Sequence, residues 1–267
     1  MDWWNIVELI NFNSFYMDYV NFYAHGDADM LEIGNPKAHL SLSECRTHFA
    51  MWAAFKSPLM IGGDLSQIKD EEVAILKNKH LLAFHQDSTN GKSAAPYKWG
   101  TNPDWSFNRT QPAEYWSGQS PEGTLVWISN YMDSTVVKTA DFSEIPELKG
   151  GRTYRAFDAW SGRDLGCHTD SVNGPVLAHD TMVYLIKKDS SCDDELKGTL
   201  PVSSTPPVVN ASPVVNTPPV VNSVPTVDTA PVVNTNTGAV VKAGDATSAA
   251  PATLAAPGGY LTRSWRA

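Results

Sequence analysis

Long apolar runs, basic clusters and regularly spaced cysteines are all scarce in this 267-residue chain. No apolar run approaches the ~18 residues that a helix needs to cross a bilayer, so no membrane partner is expected. Lys and Arg total 20 against 29 Asp and Glu, a formal net charge of -9. Phosphate binding needs clustered cations. The sequence offers no such cluster, and nucleic acid is not expected as a partner. The opening Met1-Asp2-Trp3-Trp4-Asn5 has neither the basic nor the apolar region of a signal peptide, so no export signal is expected in the chain as written. Natural termini are more often polar and frayed. With Trp3 and Trp4 so early, the opening reads as the middle of a domain.

Cysteine is limited to Cys45, Cys167 and Cys192. No two have metal-finger spacing, and no metal or cofactor is expected. Cys167 and Cys192 could close a loop if the protein is secreted. Cys45, on the apolar side of a helix, is expected to be a small buried thiol. The tripeptides Asn108-Arg109-Thr110 and Asn210-Ala211-Ser212 are glycosylation acceptors that matter only after secretion.

What is present suits a globular body: 42% hydrophobic residues, with nine each of Trp, Tyr and Phe. Residues 1–24 read as partly helical, with Asn11 to Ser14 interrupting the period. His25–Asn35 reads H-G-D-A-D-M-L-E-I-G-N and places Asp27, Asp29 and Glu32 within six residues. By spacing this is an acidic turn or carboxylates at a strand end before a helix, where α/β barrels hold their chemistry. The three acids are not expected to form an acid/base pair among themselves, because successive strand residues face opposite sides. Residues 41–56 predict a helix: Ser41 and Glu44 form a capping box, and Leu42, Cys45, Phe49 and Trp52 recur at helical spacing. His48 within it is expected to be structural. Ser57-Pro58 ends the helix. Leu59–Leu65 predicts a buried parallel strand running into glycines. Residues 69–79 predict a second helix, acidic first and basic last, and residues 80–87 a further apolar piece.

From about residue 96 short aromatic pieces alternate with Gly, Pro and Asn. Strand-like runs follow at Thr124–Tyr131, Thr135–Ala140, Thr153–Trp160 and Val176–Lys187, the pattern of an antiparallel sheet or sandwich. From 189 on, Pro-Val-Val-Asn recurs at 207–210, 213–216, 219–222 and 231–234. Proline blocks ladder hydrogen bonds, so 189–267 is expected to be a disordered, low-complexity tail.

Several motifs occur together and in order: His25–Asn35, Arg46-Thr-His-Phe-Ala-Met-Trp-Ala, Lys56-Ser-Pro-Leu-Met-Ile-Gly, Ala83-Phe-His-Gln-Asp and Pro112-Ala-Glu-Tyr-Trp-Ser-Gly. Over residues 3–190 they make the chain resemble the retaining α-galactosidase (melibiase) family of glycoside hydrolases, in its fungal branch. Here His25-Gly26 stands for the family's Trp-Asn, and Ala28 for a frequent Pro.

The resemblance implies an α/β plus all-β fold: residues 1–95 as the last two βα units of a (β/α)8 barrel, then residues 96–188 as an antiparallel β-sandwich. It implies hydrolysis of terminal α-linked galactose with retention, α-galactoside substrates as partners, and secretion. It also implies that Asp29 and Met30, with Asp27 beside them, line the galactose pocket. Neither the family's Lys-Tyr-Asp nucleophile motif nor its acid/base motif occurs in the chain. No residue here is therefore expected to be catalytic, and the chain alone is expected to be poorly active. A second expectation is a non-catalytic carbohydrate- or partner-binding sandwich, with Trp99, Trp105 or Trp116 stacking on sugars. The sequence leaves the oligomeric state open.

Overall fold

A computed structural model describes residues 1–148 and 150–192; the expected tail from 193 onward lies outside the described residues. The chain begins with helix α1, Trp3–Asn13, whose reciprocal cap joins Asp2 and Asn5: each backbone N–H donates to the other's Oδ1, at 3.1 and 3.0 Å. The helix runs through Asn11 rather than stopping there. Helix α2, Leu42–Ala54, starts on the expected box, with Glu44 N–H donating to Ser41 Oγ at 3.3 Å and Ser41 N–H to Glu44 Oε2 at 2.7 Å. Leu42 itself is exposed, since it lies ahead of the buried Cys45 and Thr47–Ala54.

Helix α3 is Asp70–Leu76 and helix α4 Lys79–His85. The apolar piece 80–87 is thus helical. Leu81 and Phe84, three apart, are both fully buried, and Asn78 Oδ1 caps the start by accepting from the His80 and Leu81 N–H groups. A one-turn 3-10 helix, Met17–Tyr19, lies between α1 and the acidic stretch.

The acidic stretch and the 59–65 run meet as two parallel segments. Leu31 N–H donates to Met60 O at 2.7 Å, Gly62 N–H donates to Leu31 O at 2.8 Å, and Leu31 bridges Ile61 in parallel. A Cβ on Gly62 would sit 3.3 Å from both Leu31 O and Met30 Cβ, so glycine permits this close approach. The 59–65 run is not buried as expected. Met60 is 49% exposed and Ile61 42%, because one bridge covers a single side of the segment.

The remaining strands are β1 Ala95–Lys98, β2 Tyr115–Ser120, β3 Gly123–Ser129, β4 Val136–Asp141, β5 Thr153–Asp158, β6 Asp164–Thr169, β7 Ser171–Val176 and β8 Thr181–Lys187. Six form an antiparallel sheet in the order β1-β2-β3-β8-β5-β6, and β4 pairs with β7 as a second sheet. The expected run Val176–Lys187 is in fact two strands, because His179 takes a positive φ of 58° between them. Strands β6 and β7 escape sequence reading because Gly166, His168, Asn173 and Gly174 hide any alternation.

The large sheet is the middle layer. On β3, Leu125 and Trp127 pack into the helical core with Phe49, Met51 and Phe84, whereas Val126 and Ile128 pack with Ala140, Val172 and Val176 of the small sheet. On β8, Val183 and Leu185 face one core, and Tyr184 and Ile186 the other. A period of two thus splits apolar residues between two cores. Cys167 of β6 is bonded to Cys192, Cα atoms 5.4 Å apart. Cys45 is a buried free thiol, its pKa pushed up to about 12 by burial.

Candidate functional site

Ala28, Leu31 and Ile33 are buried, which leaves Asp27, Asp29 and Met30 at the surface. Asp29 has a φ of 74°. That left-handed conformation is tolerated by Asp, whose short side chain bonds locally. Asp27 Oδ1 accepts from Asp29 N–H at 2.9 Å, and Asp29 Oδ1 accepts from Met30 N–H at 2.7 Å. The two carboxylates stabilise their own turn, so the turn chemistry and the exposed acids are the same residues.

Neighbouring elements hold this turn from beneath. Trp52 of α2 donates its Nε1–H to Asp29 O at 2.7 Å. His48, one turn earlier, stacks on Trp52 with centroids 4.1 Å apart. Burial lowers the His48 pKa to about 3, although the Met30 backbone pulls the other way. The ring is therefore neutral, and neither nitrogen meets hydrogen-bond geometry among the described residues. Ala28 N–H donates to Ser57 Oγ at 3.0 Å, and His25 Nδ1–H donates to Lys56 O at 2.8 Å. His85 Nε2–H donates to Ser57 O at 2.7 Å, so α4 fixes the segment that fixes the turn.

Lys56 is fully buried, and its ammonium donates to Phe84 O at 2.5 Å and to His85 O and Asp87 O at 3.3 Å. Burial lowers its pKa, and the Asp87 charge opposes that shift. These supporting residues did not emerge as site residues from the sequence. Their signals are that His48 and Trp52 are four apart, on one helix face, and that these two, Lys56, Ser57 and His85 fall within the co-ordered motifs.

Asp29 lines a cleft of about 440 Å³ with Met1, Asn5, Glu8, Leu9 and Phe12 of the α1 region. Glu8 Oε2 accepts from Arg109 Nη2 at 2.6 Å. A larger cavity of about 600 Å³, reaching Asp18, Lys92, Tyr97 and Glu147, shares no lining residue with that cleft. The aromatic candidates separate cleanly. Trp99 and Trp116 are core residues, 1% and 0% exposed, and present no stacking face. Trp105 is 61% exposed.

Residues 1–87 match the family described as Alpha galactosidase A, and residues 110–186 match the Alpha galactosidase C-terminal beta sandwich domain. The chain is 50% identical over 189 residues to a probable α-galactosidase B of Penicillium simplicissimum, and 51% identical over 191 residues to one of Aspergillus oryzae.

This chain belongs to the α-galactosidase (melibiase) family.

The two alignments cover 70% and 69% of the chain and 43% of each relative, so it spans less than half the length of these curated relatives. Among solved structures, α-galactosidase I from Mortierella vinacea is 28% identical with a TM-score of 0.51, over 61% of this chain and 39% of that one. The α-galactosidase from Saccharomyces cerevisiae with raffinose has a TM-score of 0.58 at 20% identity, over 69% and 51%. That likeness concerns the fold. Residues 110–186, matched to the C-terminal beta sandwich domain, take in β2 to β7 and all but the last residue of β8.

Proposed function

We propose that this chain supplies one wall of a pocket for terminal α-linked galactose. In this reading residues 1–95 are the last two βα units of a (β/α)8 barrel, and residues 96–188 are the sandwich that supports them. The observation behind it is the Asp29–Met30 turn, exposed yet clamped by Trp52, His48 and Ser57. A rigid turn with one outward carboxylate and one thioether suits a sugar. The carboxylate of Asp29 accepts hydroxyl protons, and Met30 packs on the apolar C–H face. Asp27 fixes the turn through the Asp29 N–H.

Retaining hydrolysis needs two opposed carboxyl groups about 5–5.5 Å apart. Of the two acids lining the cleft, Glu8 is paired with Arg109, and Asp29 spends one carboxylate oxygen on its own turn. In this reading the chain alone is inactive, because the family's nucleophile and acid/base motifs do not occur in it, and the α-galactosidase activity belongs to the full-length family architecture. Purified chain assayed on a chromogenic α-galactoside should show no turnover above buffer. Robust turnover that Asp29→Ala abolishes would overturn the inactivity. Galactose-dependent protection of Met30 from oxidation, lost in Asp29→Ala, is the expected sign of the pocket wall. Secretion is part of the same reading, supported by the Cys167–Cys192 bond, since such bonds persist in oxidising compartments.

A further inference from the structure

Segment 105–110 lies beside α1 and carries two features that galactoside chemistry does not use. One is the acceptor tripeptide Asn108-Arg109-Thr110. The other is a shelf of uncovered rings. Trp105 is 61% exposed, Phe107 49% and Phe12 46%. Phe12 and Phe107 lie 5.1 Å apart, and Trp105 rests on buried Trp99 at 4.8 Å and on Phe15 at 6.3 Å.

The shelf is built rather than loose. Trp105 is held at a φ of 60°, a conformation unfavourable for a bulky residue. Asp104 Oδ1 accepts from Trp99 N–H at 2.8 Å, Asn102 Nδ2 donates to Ser106 O at 2.5 Å, and Arg109 is pinned to Glu8. Contiguous exposed apolar rings mark a place for a further contact.

The acceptor side chain is free to carry the cover. Asn108 Oδ1 accepts from Thr110 N–H at 3.1 Å and from Thr110 Oγ1 at 3.2 Å. Its Nδ2 makes no hydrogen bond among the described residues and is not buried. The Cys167–Cys192 bond is an independent observation. Disulfides form in the compartment where Asn-X-Thr is glycosylated.

We propose that Asn108 carries an N-linked glycan whose first sugars lie on the Trp105–Phe107–Phe12 shelf. Asn108 Nδ2 attacks C1 of an oligosaccharide held on a polyprenyl diphosphate. The C1–N bond forms, the C1–O bond to phosphate breaks, the diphosphate leaves with the electron pair, and the amide loses one proton. The ring faces then meet the C–H faces of the core N-acetylglucosamine units. Phe12 also lines the Asp29 cleft, so the glycan stands at its rim.

The test is expression of the full chain through the yeast secretory pathway behind a heterologous leader. Peptide mass spectrometry distinguishes Asn108 from Asn210. The expected result is a glycan on Asn108, lost in Thr110→Ala and kept in Thr110→Ser. Native enzymatic removal of the glycan should raise binding of a hydrophobic dye several-fold, and Trp105→Ser/Phe107→Ser should suppress that rise. Unmodified Asn108 in wild-type molecules whose Cys167–Cys192 bond is intact would overturn the site, whether or not the variants fold. An occupied Asn108 whose deglycosylation leaves dye binding unchanged would overturn the shelf contact.

Discussion

Asp180 is buried against the Arg46 guanidinium, 3.0 Å away, and its Oδ1 also accepts from Thr181 N–H at 2.8 Å. Burial dominates, and the Asp180 pKa rises to about 6 from 3.8 in spite of Arg46. The folded state thus holds a proton that the unfolded state has released. Stability contributed through this group increases as pH falls from 6 toward 3.8, and the cost at pH 7 is on the order of 2–3 kcal/mol. Arg46 also lies over Trp160 at 4.6 Å, so Met at 46 keeps the apolar stem in place. Arg46→Met should lose about 3–5 kcal/mol at pH 7, because it strands a buried charge, and clearly less at pH 5. Adding Asp180→Asn should restore most of the loss. Urea titrations at both pH values decide it, and a pH-independent loss would contradict the assignment. At Trp52, Phe keeps the stack on His48 but deletes the Nε1–H bond to Asp29 O. We expect a loss of about 1–2 kcal/mol, with Met30 methyl NMR resonances broadened by a loosened turn. An unchanged Met30 spectrum would mean that Trp52 does not hold the turn.

Among the elements, β3 is buried on both faces, whereas β4 keeps one side in water. Trp127 of β3 meets Phe84 edge-on at 5.0 Å and is fully buried. Trp127→Ala should cost about 3–5 kcal/mol, whereas Val137→Ala on β4, 69% exposed, should stay within about 0.5 kcal/mol. Equal shifts in denaturation midpoint would refute the layer order. Gly118 of β2 is a close-approach glycine: a Cβ there would lie 2.8 Å from the Phe84 ring and 3.1 Å from Ala94 Cα. Helix α2 and strand β3 were legible because a capping box is written in four residues and a strand-like apolar run in about six. Strands β6 and β7 were not, because their polar, glycine-containing sequences become strands by pairing with β5 and β4.

The whole molecule joins its helical part to its sandwich through side chains far apart in sequence. His179 bonds Glu44 at 2.8 Å and Asp133 at 2.9 Å while stacking on Trp3 at 4.6 Å. Thr47 donates to His179 O at 2.7 Å. The Cys167–Cys192 bond spans a separation of 25 residues. Loop-closure entropy makes it worth about 2–4 kcal/mol. Cys167→Ser/Cys192→Ser should lower the urea midpoint accordingly without altering the far-ultraviolet spectrum. No shift would show that the bond constrains only a strand end that is already fixed.

The sequence by itself determined the Ser41–Glu44 cap, the β3 strand, the buried Cys45 and the α-galactosidase resemblance. Each rests on residues a few positions apart, where spacing and hydrogen-bond reach act directly. The tertiary structure alone decided that Trp99 and Trp116 are core while Trp105 is not. It also decided that Met60 and Ile61 are uncovered, that Cys167 pairs with Cys192, and that His48 and Trp52 carry the Asp29 turn. Burial and pairing depend on what the distant chain brings alongside, and no local pattern records that.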